Sequence, residues 1–271
     1  MLSWCGGVVG GGCEDVVYGW TAVVASDRCA GGGRGAVGGA DPDPDSPDGG
    51  EAAALSAVGS FLGGVYRVEL AGRIRAGHLD RPSQAVWRAE RKQAVTAVSS
   101  SRWAGAITRA VEDQYQLGMR SLGAHVSDLR RAVEVLEARC SLRPGESAPA
   151  GAGDVGGRRR RRHGYRWANE RFAKTRRLAV LRSRLAAADE SLRRGHPSIT
   201  VGGKRLWRNR HHLDAAAMTE AQWRARWDAA RMFLTADGET GKAGGNETIR
   251  VDEAGRLQIK VPAALSAGGC R

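Results

Sequence analysis

One apolar stripe in the middle of the chain constrains the fold more than any other feature. The stripe advances in alternating steps of four and three residues, which places its members on one face of an α-helix for about six turns. Its members are Tyr115, Met119, Leu122, Val126, Leu129, Val133 and Leu136. The sequence "SSSRWAGAIT" at 99–108 opens this helix, and Arg-Pro-Gly at 143–145 ends it.

A second stripe with the same spacing follows further along the chain. Its members are Leu178, Leu181, Leu185, Ala188 and Leu192. Gly195 and Pro197 end the helix that it predicts. Residues 145–157 between the two stripes are rich in Gly, Ala and Pro, which is typical of a flexible linker. Two long helices joined by a linker predict an antiparallel helical hairpin.

Shorter elements surround these two helices. Apolar spacing from Ala52 to Leu62 indicates a helix, and Ser83 is placed to cap another that runs to Val98. The sequence "ITVGGKRLW" at 199–207 predicts a small β-hairpin around its Gly-Gly pair.

A capping box and a second hairpin are predicted near the C-terminus. Thr219 with Gln222 three positions later predicts the start of a helix. That helix would carry on one face Trp223, Trp227, Ala230 and Leu234. The segments "ETIRV" and "RLQIKV" alternate apolar and polar residues around a turn-forming "DEAG". The apolar face of this hairpin would comprise Ile249, Val251, Leu257, Ile259 and Val261. Because two strands alone are only marginally stable, this face is expected to join a larger sheet.

The sequence therefore predicts a mostly α protein with a small β part. Residues 1–50 contain 14 glycines, seven acidic residues and two basic ones, and so are expected to be a disordered acidic tail. The other predicted regions are a helical region at 51–144, a flexible linker with an arginine run at 145–164, a basic helical region at 165–234, a loop and hairpin at 235–265, and a tail at 266–271.

The positive charge of the chain is concentrated in one segment. The whole chain has a formal charge of +13, whereas residues 158–210 alone hold 18 Arg and Lys against three acids. Arginine suits phosphate because its forked donors match phosphate oxygens, and aromatic rings are interleaved with it. These rings are Tyr165, Trp167, Phe172 and Trp207. The combination favours single-stranded nucleic acid, whose phosphates pair with arginine while its bases stack.

Two other interpretations of this basic segment are possible, namely a solvated surface and, for the run 158–162, a localisation signal.

The predicted nucleic-acid-binding residues combine basic side chains of the segment with two tryptophans. They are Arg158, Arg159, Arg160, Arg161, Arg162, Arg166, Trp167, Lys174, Arg176, Arg177, Lys204, Arg205, Trp207, Arg208 and Arg210. Trp223 and Trp227 are assigned to packing because they share one helical face.

No catalytic motif, cofactor-binding motif or metal site is recognised in the sequence. His211 and His212 are adjacent and would point to different helical faces, so capping is a better role for them than metal binding. The loop carboxylates Asp237, Glu239 and Glu247 are interpreted as solvated. Five scattered cysteines without a signal peptide indicate reduced thiols, and no apolar run is long enough for a membrane span. The sequence therefore predicts a cytoplasmic protein.

Three blocks of sequence together resemble a known family. They are "SSSRWAGAIT" at 99–108, "GGKRLWRNRHHLDAAAMTEAQWRARWDAARMFLTADGETGK" at 202–242 and "GNETIRVDEAGRLQIKVPAAL" at 245–265. In this order they resemble the OrfB/TnpB-type proteins of bacterial insertion sequences, over roughly residues 52–265. That family consists of RNA-guided DNA nucleases related to the type V CRISPR effectors.

The resemblance implies a helical recognition lobe and a wedge-like β-barrel that hold guide RNA and target duplex. Family members continue into a RuvC-like nuclease with three metal-binding carboxylates and a zinc ribbon. This chain matches only the part before the nuclease, so the expectation is a truncated member that binds RNA or DNA without a nuclease centre. Its partners would be nucleic acid and an intact family member. A non-functional remnant and a helical partner-binding protein are the alternatives.

Overall fold

The computed structural model describes residues 49–148, 162–236, 246, 248–251 and 257–266. Within these ranges the chain forms helices and two short sheets. In chain order the elements are α1 (Gly49–Ala76), α2 (Arg81–Val98), α3 (Ser101–Cys140), β1 (Ser147–Ala148), β2 (Arg162–His163), α4 (Ala168–Arg194), α5 (Lys204–Asn209), α6 (Glu220–Ala229), β3 (Ile249–Val251), β4 (Leu257–Ile259) and α7 (Ala263–Ser266). The predicted class, mostly α with a small β part, is confirmed.

Several predictions concern residues that lie outside the described ones. These are the disorder of residues 1–48 within the tail predicted at 1–50, residues 149–161 within the linker predicted at 145–164, the "DEAG" turn and the loop carboxylates Asp237, Glu239 and Glu247. The last two residues of the predicted tail begin α1, and the two ends of the predicted linker pair as β1 and β2. The described residues divide between two compact units. The first unit consists of the chain up to Ala71, Arg81–Val111 and the chain from Thr200 onward, and the second consists of Gly72–Asp80 and Glu112–Ile199.

The second unit contains the predicted antiparallel hairpin of α3 and α4. Along the predicted α3 stripe, four side chains are buried, and the other three are half-buried. Arg130 on α3 pairs with Asp189 on α4 at 2.6 Å, and Arg182 on α4 pairs with Glu137 on α3 at 2.7 Å. Because a later position on one helix meets an earlier position on the other, the two helices run antiparallel. Both long helices are confirmed.

A buried polar cluster joins α1, α3 and α4 in this unit. Arg73, whose side chain is 2% exposed, pairs through Nε with Glu112 at 2.7 Å and donates from Nη1 to the Gly77 carbonyl oxygen at 2.7 Å. The guanidinium also lies 3.6 Å from the ring centroid of Tyr115. The Tyr115 hydroxyl is 3.0 Å from the carbonyl oxygens of both Gly77 and Gly195. The cluster therefore connects the ends of α1 and α4 to the middle of α3.

Gly195 ends α4, as the sequence predicts, and it adopts the left-handed conformation. Its φ is 72°, and its N–H donates to the Leu192 carbonyl oxygen. A Cβ at this position would lie 2.6 Å from the backbone nitrogen of His78. Both the backbone angle and the close approach therefore require glycine.

The first unit has a core of α1, α2, the start of α3 and the chain after α6. Trp103 is fully buried, and its Nε1 donates to the Lys260 carbonyl oxygen at 3.1 Å. Phe233 stacks on Tyr66 with ring centroids 5.4 Å apart. A Cβ on Gly63 would overlap the Arg231 carbonyl oxygen, so glycine allows this chain to approach α1.

Two sequence predictions in the first unit are wrong. Helix α2 begins at Arg81 rather than after Ser83, because Pro82 suits a first helical turn through its fixed φ and missing N–H. The predicted hairpin at 199–207 is a turn followed by α5. Gly202 and Gly203 have φ of 96° and 88°, and the Lys-Arg-Leu sequence after them favours a helix over a strand.

The capping box at α6 is confirmed. The Thr219 side chain accepts from the Gln222 N–H, and the Gln222 side chain accepts from the Thr219 N–H. Trp223 and Trp227 share one face, and their rings stack with centroids 5.8 Å apart. The helix ends at Ala229, so Ala230 and Leu234 lie beyond it rather than on its face.

The C-terminal hairpin is also confirmed. β3 and β4 are antiparallel, with Ile249 opposite Ile259 and Val251 opposite Leu257, so the predicted apolar residues of the strands share one face. Leu257 remains 49% exposed. Within the described residues, each sheet contains two strands.

Candidate nucleic-acid interface

The predicted binding residues form two groups, one in each unit. Arg158 to Arg161 lie outside the described residues, and Arg162 is described only by its backbone, which pairs with Ala148 in the β1–β2 sheet. The group in the second unit is Arg166, Trp167, Lys174, Arg176 and Arg177. The group in the first unit is Lys204, Arg205, Trp207, Arg208 and Arg210.

The start of α4 presents an exposed tryptophan. Trp167 occupies the N-cap position with extended backbone angles, φ −120° and ψ 149°. Its side chain is 60% exposed, and the Arg166 guanidinium lies 4.9 Å from the ring centroid. An exposed indole beside an arginine provides the two contacts that single-stranded nucleic acid needs, one for a base and one for a phosphate.

The outward face of α4 continues this surface. Phe172, Arg176 and Val180 recur at steps of four, so they are neighbours on the helix. Phe172 is 66% exposed and Val180 is 51% exposed. The exposed Arg184 extends the same row by one more turn. The sequence analysis did not include Phe172 and Arg184 in the site, although their spacing of four from Arg176 and Val180 is visible in the sequence.

Lys174 lies on a different side of α4 from this outward face. It is half-buried and stands one turn before the buried Leu178. A lysine at such a position keeps its ammonium in water while its stem covers apolar surface. Lys174 is therefore the least suitable of the predicted residues on α4 for a phosphate contact.

The basic side chains of α4 differ in their ion pairs between the two ends of the helix. Glu190 near the C-terminal end pairs with Arg193 at 2.7 Å and also with Arg194. The hydrogen bond from Arg193 is the main cause that lowers the pKa of the Glu190 carboxyl group, and the hydrogen bond from Arg194 lowers it further. Arg176 and Arg177 near the other end have no ion-pair partner among the described residues. This end of α4 also carries Glu170 in its first turn, and Arg176 places an unpaired positive charge one helical turn from the exposed Phe172.

The second group is built around three packed tryptophans. Trp207 on α5 lies 5.7 Å from Trp227, which stacks on Trp223. Trp223 Nε1 donates to the Leu206 carbonyl oxygen at 2.7 Å, so these rings join α5 to α6. The packing role predicted for Trp223 and Trp227 agrees with this arrangement.

Trp207 is less available to a base than the sequence suggests. The Arg210 guanidinium lies 3.5 Å from the centroid of its ring, where a base would otherwise stack. Arg210 Nε also lies 2.7 Å from Nε2 of His211. Of the two predicted stacking residues, Trp167 is therefore the more accessible.

The comparisons with known proteins returned no match among protein-family models, curated proteins or solved structures. The candidate interface therefore rests on the chemistry of the described side chains. Among the described residues, no helix is long and apolar enough to cross a membrane.

Tyr165 does not belong to the exposed aromatic set that the sequence predicts. Its side chain is buried, and the Arg139 guanidinium lies 4.2 Å from its ring centroid. Its hydroxyl has no hydrogen-bond partner among the described residues. Burial raises the pKa of this hydroxyl because the phenolate would lose its hydration.

Tyr165→Phe is expected to raise the free energy of unfolding by about 1 kcal/mol at neutral pH, because it removes a buried hydroxyl without a partner and keeps the ring. Because burial raises the pKa of Tyr165, the unfolded chain ionises first, so the wild type loses stability as the pH rises above about 10, the pKa of an unperturbed tyrosine, whereas the variant has no such loss. Urea unfolding at pH 7 and pH 10.5 measures both effects. A loss of stability in the variant at pH 7 would show that the hydroxyl has a partner.

Proposed function

We propose that this chain binds nucleic acid, as structured RNA or an RNA–DNA duplex, and that it is the guide-binding part of an OrfB/TnpB-type insertion-sequence protein. One observation carries the proposal. Arg166, Arg176 and Arg177 are exposed without ion-pair partners among the described residues. Arg166 lies beside Trp167, and Arg176 lies one helical turn from Phe172. These two rings are 60% and 66% exposed.

A merely solvated basic surface explains the arginines but not the aromatic rings. Large exposed aromatics cost free energy in water, whereas a surface that stacks bases requires them. Arginine donors of the same surface would bind the phosphates between those bases. The OrfB/TnpB resemblance supports the same conclusion through sequence blocks that lie outside α4.

The proposal extends to the small β part. We assign β3 and β4 to the wedge-type barrel that the family resemblance implies. Their antiparallel register and the 49% exposure of Leu257 support this assignment, because a strand face with exposed apolar residues can pack against further strands.

Sequencing the RNA that co-purifies with the full chain tests the proposal. The immobilised protein is washed in steps from about 50 mM to about 500 mM salt, and each eluate is sequenced, because phosphate contacts weaken steeply over this range. We expect one enriched RNA that is retained at moderate salt and released at high salt.

Three other results would contradict the proposal. A random RNA population released at the first step would show that only non-specific charge remains. An aggregated, RNA-free product would favour the non-functional remnant. An RNA-free chain that forms a concentration-dependent dimer would favour the helical partner-binding protein.

A further inference from the structure

A second concave site lies in the first unit, between α5, the segment that follows it and α6. Its volume is about 480 Å³, within the range of small-molecule sites. The polar side chains that line it are Arg205, Asn209, His212 and Arg226. Its apolar lining comprises Leu206, Met218 and three alanines, Ala215, Ala216 and Ala230.

The charge of this pocket is positive and uncompensated. Among the described residues, Arg205 and Arg226 have no ion-pair partner, and the Asn209 amide makes no hydrogen bond. No carboxylate lines the pocket within that part of the chain. Arg224, two residues before Arg226 on α6, instead pairs with Glu220 at 2.6 Å. The pocket therefore contains charged donors that no group of the described fold satisfies.

The backbone holds the walls of the pocket in place without a ligand. A Cβ on Gly202 would lie 2.9 Å from the Trp227 ring, so this wall packs directly on α6. Ala217 has φ of 49°, and the Met218 N–H donates to the Leu213 carbonyl oxygen at 3.2 Å, which closes the turn on the opposite side. Because the backbone of these walls is already held, binding does not have to order it.

We propose that this pocket binds one nucleotide. Arg205 and Arg226 bind its phosphate, Leu206 and Met218 contact its base, and the Asn209 amide hydrogen-bonds to the base edge. An amide suits this last role because it offers both a donor and an acceptor. The inference rests on the proposed nucleic-acid function in its choice of ligand, but it involves a different part of the chain from α4.

Binding is measured by tryptophan fluorescence of the full chain, because Trp227 packs against the wall at Gly202. The probes are AMP, UMP, ribose 5-phosphate, adenosine and inorganic phosphate. We expect saturable binding of AMP and UMP. Ribose 5-phosphate should bind about tenfold more weakly because it lacks the apolar base contact, and adenosine more weakly still because it lacks the phosphate. Equal affinities for AMP, ribose 5-phosphate and inorganic phosphate would overturn the proposal.

Arg226→Gln and Arg224→Gln form a matched pair, because each removes one positive charge from α6. Arg226→Gln should weaken AMP binding about tenfold, as expected for a lost hydrogen bond to a charged group, whereas Arg224→Gln should leave it unchanged. Asn209→Ala should reduce the difference between AMP and ribose 5-phosphate. Equal effects of the two arginine variants would overturn the proposal.

Binding of nucleotides and of RNA to the wild-type chain separates this inference from the proposed function. If wild-type chain binds RNA but none of the nucleotides, the pocket proposal fails and the α4 proposal stands. If it binds nucleotides but not RNA, the α4 proposal fails and the pocket proposal stands. Displacement of AMP by RNA would identify the natural ligand as a nucleotide of RNA, and independent binding of both would identify it as a free nucleotide.

Discussion

Glu112→Ala is expected to lower the free energy of unfolding by about 3–5 kcal/mol, the usual cost of removing one partner of a buried ion pair. Arg73 has a side chain only 2% exposed, and it would remain in the protein interior without its carboxylate. Urea unfolding followed by circular dichroism measures the loss. Alanine is the best helix former, so the substitution does not weaken α3 through helix propensity.

The neighbouring Asp113 provides the matched control. It also lies on α3 and carries the same charge, but it is exposed. Asp113→Ala should change the stability by less than about 0.5 kcal/mol. Glu112→Gln should fall between the two variants, because its amide oxygen still accepts a hydrogen bond from Arg73 while its charge is gone. Similar stabilities for Glu112→Ala and Asp113→Ala would show that the pair contributes little.

The loss is expected to be large because the ion pair is part of the cluster that includes Tyr115 and Gly77. The Arg73 guanidinium contacts the Tyr115 ring and donates to Gly77, and the Tyr115 hydroxyl lies within 3.0 Å of Gly195. A shift of Arg73 toward solvent would therefore remove contacts from α1, α3 and the end of α4 at once.

This cluster could not be predicted from the sequence, whereas the helices around it could. The stripes of α3 and α4 repeat within each helix, so local spacing is enough to reveal them. Arg73 and Glu112 are 39 positions apart, and Tyr115 and Gly195 are 80 positions apart. A contact between residues so far apart in the sequence depends on tertiary packing, which local residue spacing does not reveal.

The errors in the sequence analysis have the same physical origin. The Gly-Gly pair at 202–203 does produce a turn, but whether a strand or a helix follows depends on what α5 packs against. Tyr165 is an aromatic residue in the same basic segment, yet its side chain is buried. Composition is enough to find the basic segment, but the exposure of each aromatic ring in it is known only from the structure.

The triple variant Arg166→Gln, Arg176→Gln, Arg177→Gln is expected to weaken RNA binding by at least about 100-fold near 100 mM salt, because it removes three charge-assisted contacts to phosphate. The logarithmic dependence of affinity on salt should also become shallower by about 2 to 3, since each phosphate contact contributes about 0.7 to the slope with a single strand and about 0.9 with a duplex. Filter binding or fluorescence anisotropy at several salt concentrations measures both quantities.

A second triple variant separates this surface from the overall charge of the chain. Arg81, Arg88 and Arg120 are exposed, and among the described residues they have no ion-pair partner. Their replacement by glutamine removes the same net charge, but it leaves α4 intact. We expect this control to reduce the affinity by less than about tenfold, because exposed charges outside the contact surface act only through a screened field.

The effect of removing a stacking tryptophan on RNA affinity is a third measurement, and a change in net charge would not produce it. Trp167→Ala should weaken binding by about 1–3 kcal/mol, the usual contribution of one aromatic that stacks on a base, while leaving the salt slope unchanged. Trp207→Ala should have a smaller effect on binding, because Arg210 already occupies a stacking position on its ring. If both arginine triples lowered the affinity equally and Trp167→Ala had no effect, the interaction would be with the charge of the whole chain, and the surface on α4 would not be a binding site.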